Sequence, residues 1–464
     1  MEAGEAAVAL RVVYAATAAY AVLFVFAAVV HYAVFKMPRL DLGDMVQAIW
    51  STRHGHFLQS TSLTGHQQDR LGSHVDPFLL VFLPLLWIKS WPLFLPIAQA
   101  LAVASGALPV FWLARKHLGS PRAGAHLALA YLLYPATQFN TFTLNSGFHA
   151  VSMAVPLLLY CIWFLDEDRL LAFCAVALLA FTTKEEIPLA VGCLGIWYAV
   201  RRGHRGFGIS VFAAGLAVTL FDFLWVIPHF SPSGADPFAG RYAAVGGTPR
   251  GIAHKLFSDP AAFAHAVAST HKAVYLVLLV IPFLGLWLVE PLLALGAVPD
   301  LAINLLSNSP DQTAMNTQYT AGIVPFLVAA SIFGLARFKR NASNISLWVL
   351  ALTAAIAIYS PILPLGGEVG ALGSPLVAAK AHALGLIPGQ VPVSATNQLG
   401  GRLSARRYIY EFPYVRRARW IVVDVKDSPY GSKSGIERYV HRYESDNAWR
   451  VVYSSHGITV LRKR

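Results

Sequence analysis

The chain has 464 residues and is strongly apolar, with 56% hydrophobic residues, 13% charged residues and a mean hydropathy of +0.54. A soluble domain carries about 25% charged residues, so this composition excludes an ordinary soluble protein and predicts a multi-pass membrane protein. The formal net charge is +12. Its basic excess indicates attraction to anionic lipids and a topology signal, and nucleic-acid binding is not predicted.

Apolar segments recur along the first 363 residues. Many approach the length of about 20 residues that an α-helix needs to cross a hydrocarbon core of about 30 Å. They predict about eleven transmembrane helices, at residues 8–34, 94–114, 123–139, 149–165, 169–183, 187–200, 207–228, 273–289, 291–306, 320–337 and 344–362.

The short loops predict the orientation of these helices. Loops 140–148 and 307–319 contain no Lys or Arg, and the basic residues fall on the alternate connections. These basic residues are Arg115, Lys116, Arg122, Arg169, Arg201, Arg202, Arg205, Arg337, Lys339 and Arg340. The positive-inside rule then predicts a cytoplasmic N-terminus in a bacterial plasma membrane. It places the 36–93 loop, the 229–272 loop and the C-terminal region outside.

Two apolar segments do not fit simple spans. Residues 77–91 are too short to cross, so we expect an interfacial helix anchored by Trp87, Lys89 and Trp91. Residues 290–300 contain two prolines, which predict a broken hairpin between two spans.

Residues 364–464 have a different sequence pattern from the apolar region before them. Short β-type runs at VPVSATNQLGG, YIYEF, RWIVVDV, WRVVYSS and GITVLRKR are separated by polar turns, and AKAHALGL and SGIERYVHRY have helical character. The predicted architecture is therefore an all-α transmembrane domain over residues 1–363, followed by a small extracytoplasmic α/β module.

Several motifs are specific in combination. They are RLDLGDMVQAIW, GSHVDPFLLVFLPLLW, GFHAVSMAVPLLL, FTTKEEIPLAVG, QYTAGIVPFLVAA and VPVSATNQLGGRLSARRYIYEFP. Together they resemble an uncharacterised bacterial and archaeal family of integral membrane proteins whose first motif is similar to (F/Y)DLGxFDQxxW. The chain retains Asp41 and Gln47 of that motif, but it has Val46 where a second Asp is common and Gly147 where an acid often precedes the Phe-His pair.

That family in turn resembles the GT-C superfamily of membrane glycosyltransferases, which use polyprenyl-phosphate sugars. The likeness rests on HVDPFLLVFLPLLWIK, followed by a span that ends in the basic turn of ALPVFWLARKHLG. The resemblance implies a GT-C-like fold, a polyprenyl-phosphate-linked sugar donor and membrane lipids as partners. No cofactor is required by any ligand spacing, and a divalent cation is possible.

Asp41 and Asp44 come a few residues after the end of the first span. If this stretch is helical, the i, i+3 spacing places both carboxylates on one face. A transferase needs a carboxylate to take the proton of the acceptor hydroxyl, and the resemblance favours Asp41 for that role. Asp44 would orient the acceptor or a metal ion. The alternative for both residues is helix capping or interfacial solvation.

Further polar residues at span ends are candidates for substrate binding. Arg70 and His74 precede the interfacial helix and would meet a donor phosphate, whereas Asp76 suits an N-cap before Pro77. His149 stands at the start of a span, where an ionisable residue is a candidate for function. Lys184 and Glu185 lie between two apolar segments, and the alternative to substrate binding is that they pair with each other. Arg241 and Tyr319 are also predicted to contact the substrate. Arg241 lies in a long loop that is either a substrate cover or disordered.

Other functions remain open from the sequence. Asp222 and Asp300 lie in apolar segments and support a lipid or small-solute transporter, and a third possibility is a scaffold for envelope assembly. In the C-terminal module, Asn397, Arg402 and Arg406 are expected to belong to a solubilising surface or, as the alternative, to bind an anionic or sugar ligand.

Overall fold

The computed structural model describes residues 2–88, 91–143, 146–427 and 433–464. In the described part of residues 1–363 the α-helices are Glu2–Ala33, Asp44–Arg53, Leu83–Ile88, Phe94–Ser105, Ala107–Leu118, Pro121–Leu133, Pro135–Thr141, Ala154–Asp166, Leu170–Phe181, Ile187–Arg202, Arg205–Phe221, Ile227–Phe230, Pro249–Ser258, Ala261–Val267, Thr270–Val280, Pro291–Ala294, Val298–Leu306, Val324–Leu335 and Ala342–Ile356. A small hairpin of β1 (Gln59–Thr61) and β2 (Gln67–Asp69) lies between them.

All eleven predicted spans fall on helical segments. Among the described residues, five helical stretches are long and apolar enough to cross a membrane, or six if the bent pair Ala261–Val267 and Thr270–Phe283 is one span. Four more apolar helices are shorter. The protein is therefore a multi-pass membrane protein, while the count of eleven stays a prediction.

The two segments that do not fit simple spans, residues 77–91 and 290–300, are not regular α-helices throughout. Residues Pro77–Phe82 form a 3-10 helix that continues into Leu83–Ile88. Trp91 is partly exposed, whereas Lys89 and the side chain of Trp87 lie outside the described residues. The two prolines of residues 290–300 stand at the starts of two short α-helices, which a 3-10 turn joins into one apolar helical segment, Pro291–Leu306. The broken hairpin stays a prediction.

The basic loops gather at one end of the helical domain. Arg201 and Arg337 both pair with the buried carboxylate of Glu290. Lys116 and Arg202 both pair with the buried carboxylate of Asp166. Connections that the sequence assigns to one membrane side therefore meet in the structure.

The C-terminal region forms the predicted α/β module. Its strands are β3 (Val393–Ala395), β4 (Ile409–Glu411), β5 (Trp420–Asp424), β6 (Trp449–Ser455) and β7 (Ile458–Lys463), and its α-helices are Leu365–Ala371, Pro375–Gly385, Asn397–Gly400 and Lys433–Glu444. The order in the sheet is β4-β3-β5-β7-β6. β3 is parallel to β4 and β5, and β7 is antiparallel to β5 and β6.

Alternating residues of β5 pack on opposite faces of this sheet, as the period of a strand dictates. Val422 packs with Ala379 and Ala383 of the helix Pro375–Gly385. Ile421 and Val423 pack with residues of the helix Lys433–Glu444. The module thus has three layers, with the sheet between two helices, and the boundary at residue 364 stays a prediction.

Buried polar contacts join the module to the end of the first helix. Arg39 is fully buried and donates from Nε to Glu411 on β4, at 3.0 Å. Its Nη1 donates to Asp44 and to the carbonyl of Thr61, each at 3.0 Å. One guanidinium therefore holds the module, the β1–β2 hairpin and the helix Asp44–Arg53 together.

Asn397 and Arg402 serve this junction, and Arg406 is buried inside the module, so the expectation of a solubilising surface is wrong. Asn397 Oδ1 accepts from the backbone N–H of Leu40 at 3.0 Å, and Arg402 stacks on the ring of Phe35, 3.7 Å from its centroid. Arg406 is buried and donates to the carbonyls of Leu403 and Val391.

Replacement of Arg39 by Met tests the junction. The change leaves Glu411 and Asp44 buried without their cation, which costs about 3–5 kcal/mol in comparable buried pairs. We expect a marked fall in the melting temperature of the detergent-solubilised protein. Arg419→Met, on an exposed side chain of the same module, is the control, and equal melting temperatures for the two variants would contradict the assignment.

Candidate functional site

Asp41 lies in a tight turn within the segment Arg39–Gly43, which follows the first helix after a short connection. Its backbone has φ 68° and ψ −86°, so the helical geometry expected for Asp41 and Asp44 is wrong, and only Asp44 is helical. This conformation is close to that of the strained γ-turn and persists where the surroundings fix it. Here Leu40 is bonded to Asn397 before the turn, and the buried Arg39 is bonded to Asp44 after it.

The turn opens into a polar cavity of about 280 Å³. Eight of the nine residues predicted from the sequence line it, although they come from distant parts of the chain. They are Asp41, Asp44, Arg70, His74, His149, Lys184, Arg241 and Tyr319. The structure thus brings the two carboxylates and the predicted cations to one place.

The two carboxylates differ in their surroundings. Asp44 is bound to Arg39, and burial raises its pKa although Arg39 and Arg70 oppose the shift. Asp41 is partly exposed to the cavity and makes no side-chain hydrogen bond or ion pair with the residues that the structure describes. Asp41 is therefore the carboxylate with oxygens available to a ligand.

Arg70 forms a bidentate pair with Asp76, with distances of 2.9 Å from Nε and 2.6 Å from Nη2 to Oδ2. The Asp76 side chain makes no capping bond at Pro77–Phe82, so its predicted N-cap role is wrong. Burial alone would lower the pKa of Arg70, but Asp76 and the cavity carboxylates raise it. Arg70 is a permanent positive charge in the cavity wall.

Lys184 pairs with Glu186 and lies 5.5 Å from the centre of the Tyr319 ring. Its side chain is only 14% exposed. Burial would lower the pKa of this lysine, but the carboxylates of Glu186 and Glu185 outweigh it and raise the pKa. Lys184 is therefore protonated at neutral pH despite its burial.

Glu185 lies behind His74. Its Oε1 is 3.2 Å from His74 Nδ1, and its Oε2 accepts the backbone N–H of Val75 at 3.0 Å. Burial would raise the pKa of Glu185, but His74 and Lys184 lower it to about 2. Both oxygens are occupied, so the geometry gives Glu185 a positioning role and leaves Nε2 of His74 for a ligand.

Phe238 connects two cavity residues and was not predicted from the sequence. The ring of His74 stacks on it at 4.9 Å, and the guanidinium of Arg241 lies 4.4 Å from its centre. Arg241 also donates to the hydroxyl of Tyr319 at 3.3 Å. The loop that carries Phe238 and Arg241 is folded into short helices, which agrees with a substrate cover.

His149 is buried at the cavity wall. Its backbone N–H donates to Gln99 Oε1 at 2.8 Å. The Nε2 atom has no hydrogen-bond partner among the described residues, although it is shielded from solvent. A buried polar atom without a partner is costly, so this nitrogen is suited to a ligand in the cavity.

A second, mainly apolar cavity of about 450 Å³ adjoins the first. Its walls include Leu189, Phe223, Ile252, Ile303 and Leu306. The two cavities share His74, Lys184, Phe238, Arg241 and Tyr319. The cationic side chains therefore stand at the boundary between a polar and an apolar space.

Three further predictions concern metals and membrane carboxylates. In the part of the chain that the structure describes, no three His, Cys, Asp or Glu side chains form a metal-binding group, so the divalent cation stays a prediction. Asp222 is buried in its helix, and Asp300 accepts the backbone N–H of Gly322 at 2.9 Å. Neither carboxylate lines either cavity.

The fold and this arrangement define a multi-pass membrane protein with a small C-terminal α/β module. Within that class, the chain belongs to the family described as predicted membrane protein (DUF2079), whose model matches residues 31–460. None of the curated proteins matches the sequence.

Two solved structures have the same fold over nearly the whole chain. ArnT from Cupriavidus metallidurans bound to undecaprenyl phosphate has a TM-score of 0.51 and 14% identity, over 95% of this chain and 97% of that one. Its apo state has a TM-score of 0.51 and 15% identity, over 96% and 98%. At an identity of 14–15%, the similarity establishes a shared fold and nothing more.

Glu185→Gln tests the positioning role of this carboxylate. The change removes a charged acceptor of two hydrogen bonds, each worth about 1.5–3 kcal/mol, so the melting temperature should fall. Glu437→Gln, on an exposed part of the module, serves as the control. A Glu185→Gln protein as stable as Glu437→Gln would show that the pair with His74 contributes nothing.

Proposed function

We propose that this protein is a membrane glycosyltransferase that moves a sugar from a polyprenyl-phosphate donor to an acceptor hydroxyl. The observation that carries the proposal is the junction of the two cavities at Lys184, Arg241 and His74. A lipid-linked sugar needs an apolar space for its chain, cations for its phosphate and a polar space for its sugar. The apolar cavity, the cationic side chains and the polar cavity lie next to one another in this order.

The fold likeness supports the same donor class. ArnT was crystallised with undecaprenyl phosphate, and this chain has the same fold. In our proposal the polyprenyl chain occupies the apolar cavity beside Ile303 and Leu306, and the phosphate lies at Lys184 and Arg241. The sugar then extends toward Asp41.

The proposed reaction is a displacement at the anomeric carbon. The acceptor hydroxyl gives its proton to the carboxylate of Asp41 as its oxygen forms the new glycosidic bond. The bond between the anomeric carbon and the phosphate oxygen breaks, and the electron pair leaves with the lipid phosphate. Lys184 and Arg241 stabilise the charge on that phosphate, because preorganised cations in a dry site cost no rearrangement during the step.

Asp41 is favoured over Asp44 as the base because its oxygens are free. Asp44 is held by Arg39 and would orient the acceptor. His149 Nε2 and the hydroxyl of Tyr319 supply further hydrogen bonds to the substrate. A transporter that depends on Asp222 and Asp300 has less support, since these residues lie outside both cavities.

We infer that the cavity faces away from the cytoplasm. The helix Ile187–Arg202 begins beside Glu186, and Arg201 in its last turn binds Glu290 in the basic cluster. Its 16 residues span about 24 Å, so the site and the cluster lie at opposite ends of the helical domain. The positive-inside rule assigns the basic end to the cytoplasm.

Asp41→Asn tests the assignment of the base. Transfer from a panel of labelled undecaprenyl-phosphate sugars to cell-envelope acceptors should fall about 10²–10⁴-fold, since a general base contributes that much. The amide preserves size, so binding of undecaprenyl phosphate should not change. Asp69→Asn is the matched control: Asp69 lies in the same loop, bonds Gln59 and lines neither cavity. Wild-type transfer by Asp41→Asn would reject the mechanism.

A second test addresses the phosphate site. The double variant Lys184→Gln/Glu186→Gln removes the cation without leaving its buried partner charged. We expect undecaprenyl phosphate to bind about 10–100-fold more weakly, because a charge-assisted contact is worth about 1.5–3 kcal/mol. Lys255→Gln, in the covering loop and outside both cavities, is the control. Equal affinity in all three proteins would place the phosphate elsewhere.

A further inference from the structure

A groove of about 770 Å³ lies at the end of the helical domain opposite the candidate site. It is bordered by the helices Ala107–Leu118 and Ala154–Asp166 and by the turn that follows the second one. Its lining residues are Trp112, Arg115, Lys116, Tyr160, Trp163, Phe164, Glu167 and Arg169. None of them belongs to the cavities of the proposed active site.

Helical spacing explains why these residues share one groove. Trp112, Arg115 and Lys116 stand at i, i+3 and i+4, which places them on one face of their helix. Tyr160, Trp163, Phe164 and Glu167 repeat the pattern at i, i+3, i+4 and i+7. On both walls the aromatic residues come first along the chain and the charged residues follow. The groove therefore has an aromatic end and a charged end.

The aromatic end is a continuous surface. The rings of Trp112 and Trp163 are 5.5 Å apart, and those of Trp112 and Tyr160 are 6.3 Å apart. All the aromatic lining residues are partly exposed. Trp and Tyr beside Arg at the end of a membrane helix are typical of the level of the lipid headgroups.

The charged end has an excess of positive charge. Lys116 is neutralised by Asp166 and Glu167, at 2.7 and 2.5 Å. Arg115 and Arg169 are exposed, and neither side chain makes a hydrogen bond or ion pair with the residues that the structure describes. Two guanidinium groups are thus available to an anion, and guanidinium binds phosphate in a bidentate manner.

We propose that this groove binds an anionic membrane phospholipid as a specific partner of the protein. Its phosphate and headgroup lie between Arg115 and Arg169, and the upper part of its acyl chains covers Trp112, Tyr160 and Phe164. The volume is in the range of specific ligand sites. The lipid would fix the helices Ala107–Leu118 and Ala154–Asp166 at the headgroup level. This inference does not depend on the proposed transferase activity.

Native mass spectrometry of the detergent-purified chain tests the proposal. Phosphatidylglycerol and phosphatidylcholine with the same acyl chains are titrated separately onto the protein. We expect the first phosphatidylglycerol molecule to bind the wild type at least about tenfold more tightly than phosphatidylcholine. In Arg115→Gln/Arg169→Gln the affinity for phosphatidylglycerol should fall about 10–30-fold, as expected for two basic residues at an anionic headgroup.

The matched control is Arg205→Gln/Arg340→Gln, which removes two exposed arginines from the same end of the domain but outside the groove. It should retain the wild-type preference. Melting temperatures of both double variants establish that each is folded. Absence of a lipid preference in the wild type would overturn the proposal, and so would an equal loss in the control, because binding would then follow net charge alone.

Discussion

The buried guanidinium of Arg39 is the interaction on which the rest of the site depends. A charge in a dry interior is tolerated only with full pairing, and Arg39 takes its partners from three different parts of the chain: Asp44, Thr61 and Glu411. These contacts fix the segment that carries Asp41. The C-terminal module therefore supports the cavity from outside, since the described lining residues all precede it in the chain.

The same principle organises the other walls of the cavity. Arg70 is held by Asp76, Lys184 by Glu186, and His74 by Glu185. Each pair keeps a charge at the membrane boundary, where an isolated ion would be strongly destabilising. Asp41 differs because its carboxylate has no such partner among the described residues. In the proposed mechanism this unpaired carboxylate accepts the proton of the acceptor hydroxyl.

Much of this arrangement could be predicted from the sequence, and the reasons are local. The helices follow from apolar length, and the five strands of the module follow from β-type runs between polar turns. Asp41, His149 and Lys184 were recognisable because polar groups at the ends of apolar segments are rare and functional. Strand order and the convergence of distant loops on one cavity depend on tertiary packing and could not be predicted.

The ion pairs and hydrogen bonds between the side chains of the site could not be predicted from the sequence. Asp76 has the position of an N-cap, yet its side chain binds Arg70, since a buried guanidinium has the greater need of a partner. Glu185 was expected to bind substrate, and nothing in the sequence indicated its contact with His74. Arg39 was missed because Glu411 lies 372 positions away. No local pattern reports a contact at that separation.

The bond between Leu40 and Asn397 joins residues 357 positions apart, and this separation bears on biosynthesis. The first helix leaves the ribosome long before Asn397 and Glu411, which secure the turn that follows it. Until then the strained turn at Asp41 lacks the partners that hold it in shape. A growing chain thus exposes Asp41 without these contacts until Asn397 and Glu411 have been translated.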